Sequence, residues 1–204
     1  MGLLLSCPAA FSDTIEVEYK RFYSHVRKLN DDDTQGLQFA FGFMHVTNKT
    51  LCTINKADIV TQKKTIPVEV TPEYRFTVPA ERALNLADAK VTIDLEQPSN
   101  QCDMSVQLET KPEWLKQEYS PQDLAFIHQQ YSSFFNEMGS FLSFMMPSVS
   151  GLMIHFEDLH YDALVEGAPA INKGTMLIDE EWLEKGKPLV LPRKPLRVTA
   201  LTSK

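Results

Sequence analysis

The stretch Gly36–Cys52, GLQFAFGFMHVTNKTLC, constrains this chain more than any other. Leu37, Phe39, Phe41 and Phe43 alternate with Gln38, Ala40, Gly42 and Met44. A period of two sets those large apolar side chains on one face of a strand. A turn at Thr47-Asn48-Lys49 then sends the chain back through Leu51-Cys52-Thr53-Ile54. Cys52 shares parity with Ile54. In the partner segment Cys102–Leu108, CDMSVQL, Cys102 shares parity with Met104, Val106 and Leu108. Both thiols are therefore expected on the apolar sides of their strands. Two readings follow: a disulfide across a core, or two buried free thiols, since cysteine is among the most buried residue types. The matched facing and an export signal favour the disulfide. It would close a loop of roughly 50 residues, worth about 4 kcal/mol on the chain-entropy model. No Cys-x-x-Cys motif is present, so redox chemistry is not expected.

A chain of 204 residues, 43% of them hydrophobic, can fill one large domain or two small ones. The net charge is -7 and the acids are spread along the sequence. That argues against nucleic acid as a partner, because basic clusters supply most of such affinity. It argues equally against electrostatic attachment to anionic lipid. No run of about twenty apolar residues exists, so no transmembrane helix is expected.

The first residues, Met1–Ser12, read MGLLLSCPAAFS and carry no charge. Leu3–Leu5 form a short apolar run, and Ala10-Phe11-Ser12 puts small residues where a signal peptidase cuts. The expectation is a leader over 1–12, cleaved to leave Asp13 first, although the usual basic start is missing. Leu4-Leu5-Ser6-Cys7 also resembles a lipoprotein site that would anchor lipid at Cys7. Simple cleavage ranks above it, because Leu5 suits a lipobox poorly.

Thr14–Tyr19 alternates like a strand, and Tyr19–Leu29 then switches to helical spacing through Phe22, Tyr23, Val26 and Leu29. Asn30–Gly36, NDDDTQG, reads as a solvated acidic loop, since it lacks the spaced ligands of a calcium loop. Strands are expected at Ile54–Thr61, Thr65–Val70, Tyr74–Val78, Val91–Glu96 and Asp103–Glu109. Pro72, Pro79 and Pro98 fall between them. Glu81–Asp88 could hold one helical turn, and Lys111–Tyr119 reads as a polar connection. Ser120-Pro121-Gln122-Asp123 is the strongest helix start in the sequence, with a capping serine, proline at the first helical position and an early acid. That helix is expected over about 121–146, stopped by Pro147. Strands return over Gly151–Leu201, with turns at Gly167, Gly174 and Gly186.

His155, Glu157, Asp158 and His160, from HFEDLH, are the densest group of metal-ligand types. On a strand, His155 and Glu157 share one face while Asp158 and His160 share the other. Two convergent ligands fall short of a zinc site, and solvent-facing residues of a strand and turn are the plainer reading. His25, His45 and His128 are scattered. Asp179-Glu180-Glu181 reads as a polar turn before Trp182. Trp114, Tyr161 and Trp182 could form a platform for sugar or peptide, or simply belong to core and rim. No nucleophile elbow, zinc-protease helix or phosphate loop occurs, and no motif implies a cofactor or a catalytic residue.

At Phe22-Tyr23-Ser24, Phe41-Gly42-Phe43, Leu51-Cys52-Thr53-Ile54 and Gln101-Cys102-Asp103 the chain resembles the Gram-negative exported domain-of-unknown-function family numbered 2987. The resemblance covers most of the chain after the leader. It takes in the Phe-x-Phe strand, both cysteine segments and the long helix before a second strand-rich part. It implies an envelope location and supports pairing of Cys52 with Cys102. It implies no activity and no site.

The expected fold is α+β. A strand-rich, antiparallel, sandwich-like unit spans 13–110. The long helix and a small C-terminal β unit packed on it span 111–204, with one continuous domain as the alternative division. The expected function is a periplasmic, non-catalytic binding or envelope-accessory role toward an envelope protein or small ligand. The alternative is a hydrolase acting on an envelope polymer through His155, Asp158 or His160. A third reading is an interaction module using the uncharged helix end, with Phe141, Phe144, Met145 and Met146.

Overall fold

The computed structural model describes residues 13–29, 32–139 and 148–203. The leader with Cys7, and the helix end with Phe141, Phe144, Met145 and Met146, lie outside the described residues. The fold is α+β, built on antiparallel sheets, and the chain divides into two compact units. Residues 13–27 and 39–107 belong to the first, and 28–38 and 108–203 to the second.

In the first unit, β1 (Asp13–Glu18) runs into α1 (Tyr19–Val26), and β2 (Leu37–His45) is followed by β3 (Ile54–Val60) and β4 (Thr65–Val68). Then come α2 (Arg82–Leu86), β5 (Lys90–Leu95) and β6 (Cys102–Thr110); residues 37–38 of β2 and 108–110 of β6 belong to the second unit. A four-stranded sheet has the order β1-β5-β3-β4, and β2 pairs with β6 in a second, two-stranded sheet. The alternation of Val91, Ile93 and Leu95 is that of a strand with one buried face, and all three are fully buried. The apolar side chains of α1 fall at helical spacing, which brings Tyr19, Phe22 and Val26 inward together. Phe22 packs edge-on against Phe41 at 4.9 Å and lies 5.7 Å from Phe76.

The strand β2 departs from simple alternation. Leu37, Phe39, Phe41 and Phe43 are buried as the period predicts, but Ala40 and Gly42 on the other face are buried too. The space over Gly42 is taken by backbone: an added Cβ would lie 3.0 Å from the Tyr74 carbonyl oxygen. Tyr74–Val78 does not form the expected strand. Pro72 and a left-handed Tyr74, at φ 59°, fold the segment into a turn, and Phe76 alone bridges Phe41 and Val70. In β6 the expected apolar face is only partly covered. Cys102 is buried but Val106 is exposed, consistent with a strand whose sheet partner is β2 alone.

Cys52 and Cys102 are joined by a disulfide, at a sequence separation of 50. The Cys52 amide donates to the Phe43 carbonyl at 2.7 Å, and the Val46 amide donates to Gln101 at 2.9 Å. The bridge therefore ties two segments that both lie along β2. The loop it closes contains β3, β4, α2 and β5.

The second unit holds β7 (Glu118–Tyr119), α3 (Pro121–Gly139), β8 (Ser148–His155), β9 (Thr175–Asp179), α4 (Glu180–Glu184), β10 (Leu189–Val190) and β11 (Arg197–Ser203). A three-stranded sheet has the order β11-β8-β9, and β7 pairs with β10. The start of α3 is a reciprocal cap. Ser120 Oγ accepts from the Asp123 amide at 3.1 Å, and Asp123 Oδ2 accepts from the Ser120 amide at 2.9 Å. Lys116, 2.7 Å from Asp123, holds that carboxyl below the usual aspartate range, helped by the Ser120 hydrogen bonds. Leu124, Ile127 and Tyr131 make the buried face of α3, which packs on β8. The Tyr131 hydroxyl donates to the Val198 carbonyl at 2.8 Å and meets Thr110 Oγ1 at 3.1 Å, so the one polar atom of a fully buried ring is satisfied.

Two segments of this unit differ from expectation. The polar connection before α3 contains β7, and Tyr119 there is buried. Asp179-Glu180-Glu181 is a helix start and not a turn. Asp179 Oδ1 accepts from the Trp182 amide at 2.8 Å, and the two glutamates sit in the first turn of α4, where negative charge complements the helix dipole.

Candidate functional site

A surface groove of about 490 Å³ lies in the first unit between the β3–β4 turn and α2. Thr61, Gln62, Lys63 and Lys64 line one side; Glu81, Ala83, Leu84, Leu86, Ala87 and Asp88 line the other. Local hydrogen bonds fix both walls. The Thr61 amide donates to the Lys64 carbonyl at 2.9 Å. The Thr61 hydroxyl donates to the same carbonyl and accepts from the Lys63 and Lys64 amides. This compact turn aims two adjacent lysines at the groove. On the other side Leu84 is buried and anchors α2, while Leu86 is 70% exposed. The chain leaves α2 through Asp88 in the left-handed region, at φ 47°, with the Ala89 amide returned to the Leu84 carbonyl at 3.2 Å. At the other end of α2, the Glu81 amide donates to the Tyr19 hydroxyl, which itself donates to the Pro79 carbonyl.

The groove thus has an apolar floor and charged rims of both signs. Among the described residues, none of Lys63, Lys64, Glu81 and Asp88 makes an ion pair. Sequence reading passes over it, because its two walls are about twenty residues apart and surface positions carry no period. The only local signal is the basic turn Gln62-Lys63-Lys64 between two short strands.

The residues of HFEDLH are placed differently from one another. β8 ends at His155, so the strand parity expected for Glu157, Asp158 and His160 does not apply. His155 is half-buried, with Nε2 3.0 Å from Thr199 Oγ1 and with Arg197 as its cross-strand partner. Glu157, Asp158 and His160 are exposed on the following turn, where Asp158 Oδ1 accepts from the His160 amide at 2.8 Å. Tyr161 packs edge-on against Phe156 at 5.5 Å, under the guanidinium of Arg193 at 3.7 Å. Trp182 is buried, its indole N–H donating to the Gly167 carbonyl, and Trp114 stacks on Phe126 at 4.2 Å. Each of the three aromatics considered as a platform is thus occupied by packing at a different place. Among the described residues, no group of three or more His, Cys, Asp or Glu could hold a metal ion.

Burial, with the Arg197 charge adding to it, pushes the His155 pKa down from 6.5 to about 4. His155 is therefore neutral in the folded protein at pH 6, while it is partly protonated in the unfolded chain. A depressed histidine contributes stability that is complete above pH 6.5 and is lost as pH falls from 6.5 toward 4. The loss expected is about 3 kcal/mol at pH 4. Urea melts across this window should show the decline in the wild type and a flatter profile in His155→Gln. Parallel profiles would remove the assignment to His155. Burial lowers His128 as well, opposed by Glu180. It adds a decline of the same sign that survives in the variant.

Taken together, these features define a two-unit protein of antiparallel α+β fold with a charged surface groove in its first unit. The chain belongs to the family described as "Protein of unknown function (DUF2987)", whose model matches residues 11–156. That span contains both disulfide-bonded cysteines and every groove residue; Glu157, Asp158 and His160 fall beyond its end. No curated protein and no solved structure matches the chain. Among the described residues, no helix is long and apolar enough to cross a membrane.

Proposed function

We propose that this protein is an exported, periplasmic binding or accessory protein that holds a small ligand in the groove beside α2 without transforming it. The observation that carries the reading is the groove itself: charged rims, an apolar floor, and a single lining hydroxyl, Thr61, already committed to its own turn. No histidine or cysteine lines this surface, and its one hydroxyl is held by its own turn and faces no partner arranged to activate it. The disulfide supports the compartment, because such bonds persist in oxidising environments and are rare in a reducing cytosol.

Cell fractionation of the native host with non-reducing peptide mapping tests the reading. The expected result is periplasmic protein with the Cys52 and Cys102 peptides linked. Recovery from the cytosol with both thiols free would end it. Turnover of any member of a broad hydrolase panel by the purified protein would end the non-catalytic half.

A further inference from the structure

We infer that the groove beside α2 takes a short zwitterionic peptide with an apolar side chain. This inference rests on reading the groove as the ligand seat. The rims carry Lys63 and Lys64 on one side and Glu81 and Asp88 on the other. Opposite charges flank the same groove without forming an ion pair among the described residues. An anionic ligand would face two carboxylates, and a cationic ligand two ammonium groups. A molecule with one charge of each sign, placed at opposite ends, meets a complement at both rims.

The floor sets the rest of the chemistry. Ala83, Leu86 and Ala87 bring apolar surface to the groove at α2 and its C-terminal cap, and Leu86 is 70% exposed. An apolar side chain laid there removes that surface from water. The volume is in the usual range for a small-molecule site. Asp88 holds a left-handed backbone at the lip, a conformation that glycine would adopt more cheaply.

Calorimetric titration of the full, oxidised chain with the tripeptide Ala-Leu-Ala tests the inference. Saturable binding is expected with free termini. It should weaken at least about tenfold on acetylation of the amino end or amidation of the carboxyl end. The Lys63→Ala, Lys64→Ala double variant and Asp88→Asn should each weaken it similarly. All three side chains are exposed and asparagine tolerates the left-handed region, so the variants should keep the wild-type melting temperature. Absence of saturable binding at millimolar peptide overturns the inference. So does binding indifferent to blocked termini, or unchanged in both variants. If peptide binding fails while fractionation still finds an oxidised periplasmic protein, the ligand class is lost and the exported-protein reading stands.

Discussion

Removing the Cys52–Cys102 bridge should lower the free energy of unfolding by about 4 kcal/mol. The cross-link spans 50 residues, and loop closure of that length in the unfolded chain supplies an entropy term of this size. The expectation applies to Cys52→Ala with Cys102→Ala, and equally to the fully reduced wild type. With a urea dependence of about 2 kcal/mol/M for a small protein, the midpoint should move by about 2 M. The cysteines are 1% and 7% exposed, so reductant reaches them mainly when the chain opens, and reduction should follow unfolding. The effect also reaches the groove. Every groove residue, from Thr61 to Asp88, lies inside the loop that the bridge closes. Reduced protein should therefore lose groove affinity at urea concentrations where oxidised protein retains it. A midpoint that reductant leaves unmoved would deny the bridge its stabilising role.

Much of this architecture was legible because its signals are local. The period of two in Leu37–Phe43 named the buried strand, and the Ser120–Asp123 spacing named the capped helix. The parity of Cys52 with Ile54 placed its sulfur inward. What escaped depends on distant partners. Nothing near Asp13–Glu18 says that this strand will pair with Lys90–Leu95, since pairing order is set by which apolar faces can be buried together. Val106 reads as inward by parity, yet it is exposed because a face is buried only where something covers it. His155 looked like a solvent or metal-ligand residue. Its environment comes from β11, more than forty residues on, which sets Arg197 opposite it and Thr199 against its ring. Asp179-Glu180-Glu181 was misread by charge alone, because the same acids that suit a turn also suit a helix N-terminus. The groove was invisible for a related reason: it is a relation between two surface segments, and neither has to be patterned for the other.

Gly151→Ala should destabilise the second unit by on the order of 3 kcal/mol or more. Gly151 lies in β8, the central strand of its sheet, with Leu201 opposite it on one side and Asp179 on the other. Its φ is 151°, and an added Cβ would fall 2.0 Å from the Ile178 carbonyl oxygen and 2.8 Å from the Asp179 Cα. Both obstacles are backbone, so no side-chain rotation relieves them; β9 must move away from β8. That movement strains the ladder holding Met176 and Ile178, which are both fully buried. It also disturbs Asp179, whose carboxylate caps α4. Gly167→Ala is the control for conformation without contact. At Gly167 φ is 69°, and an added Cβ meets nothing within 4 Å, so only the left-handed penalty of about 1 kcal/mol is expected. Urea melts of the two variants separate the terms. A Gly151→Ala loss no larger than that of Gly167→Ala would mean that β9 yields freely, and that the close approach of the two strands does not hold this sheet together.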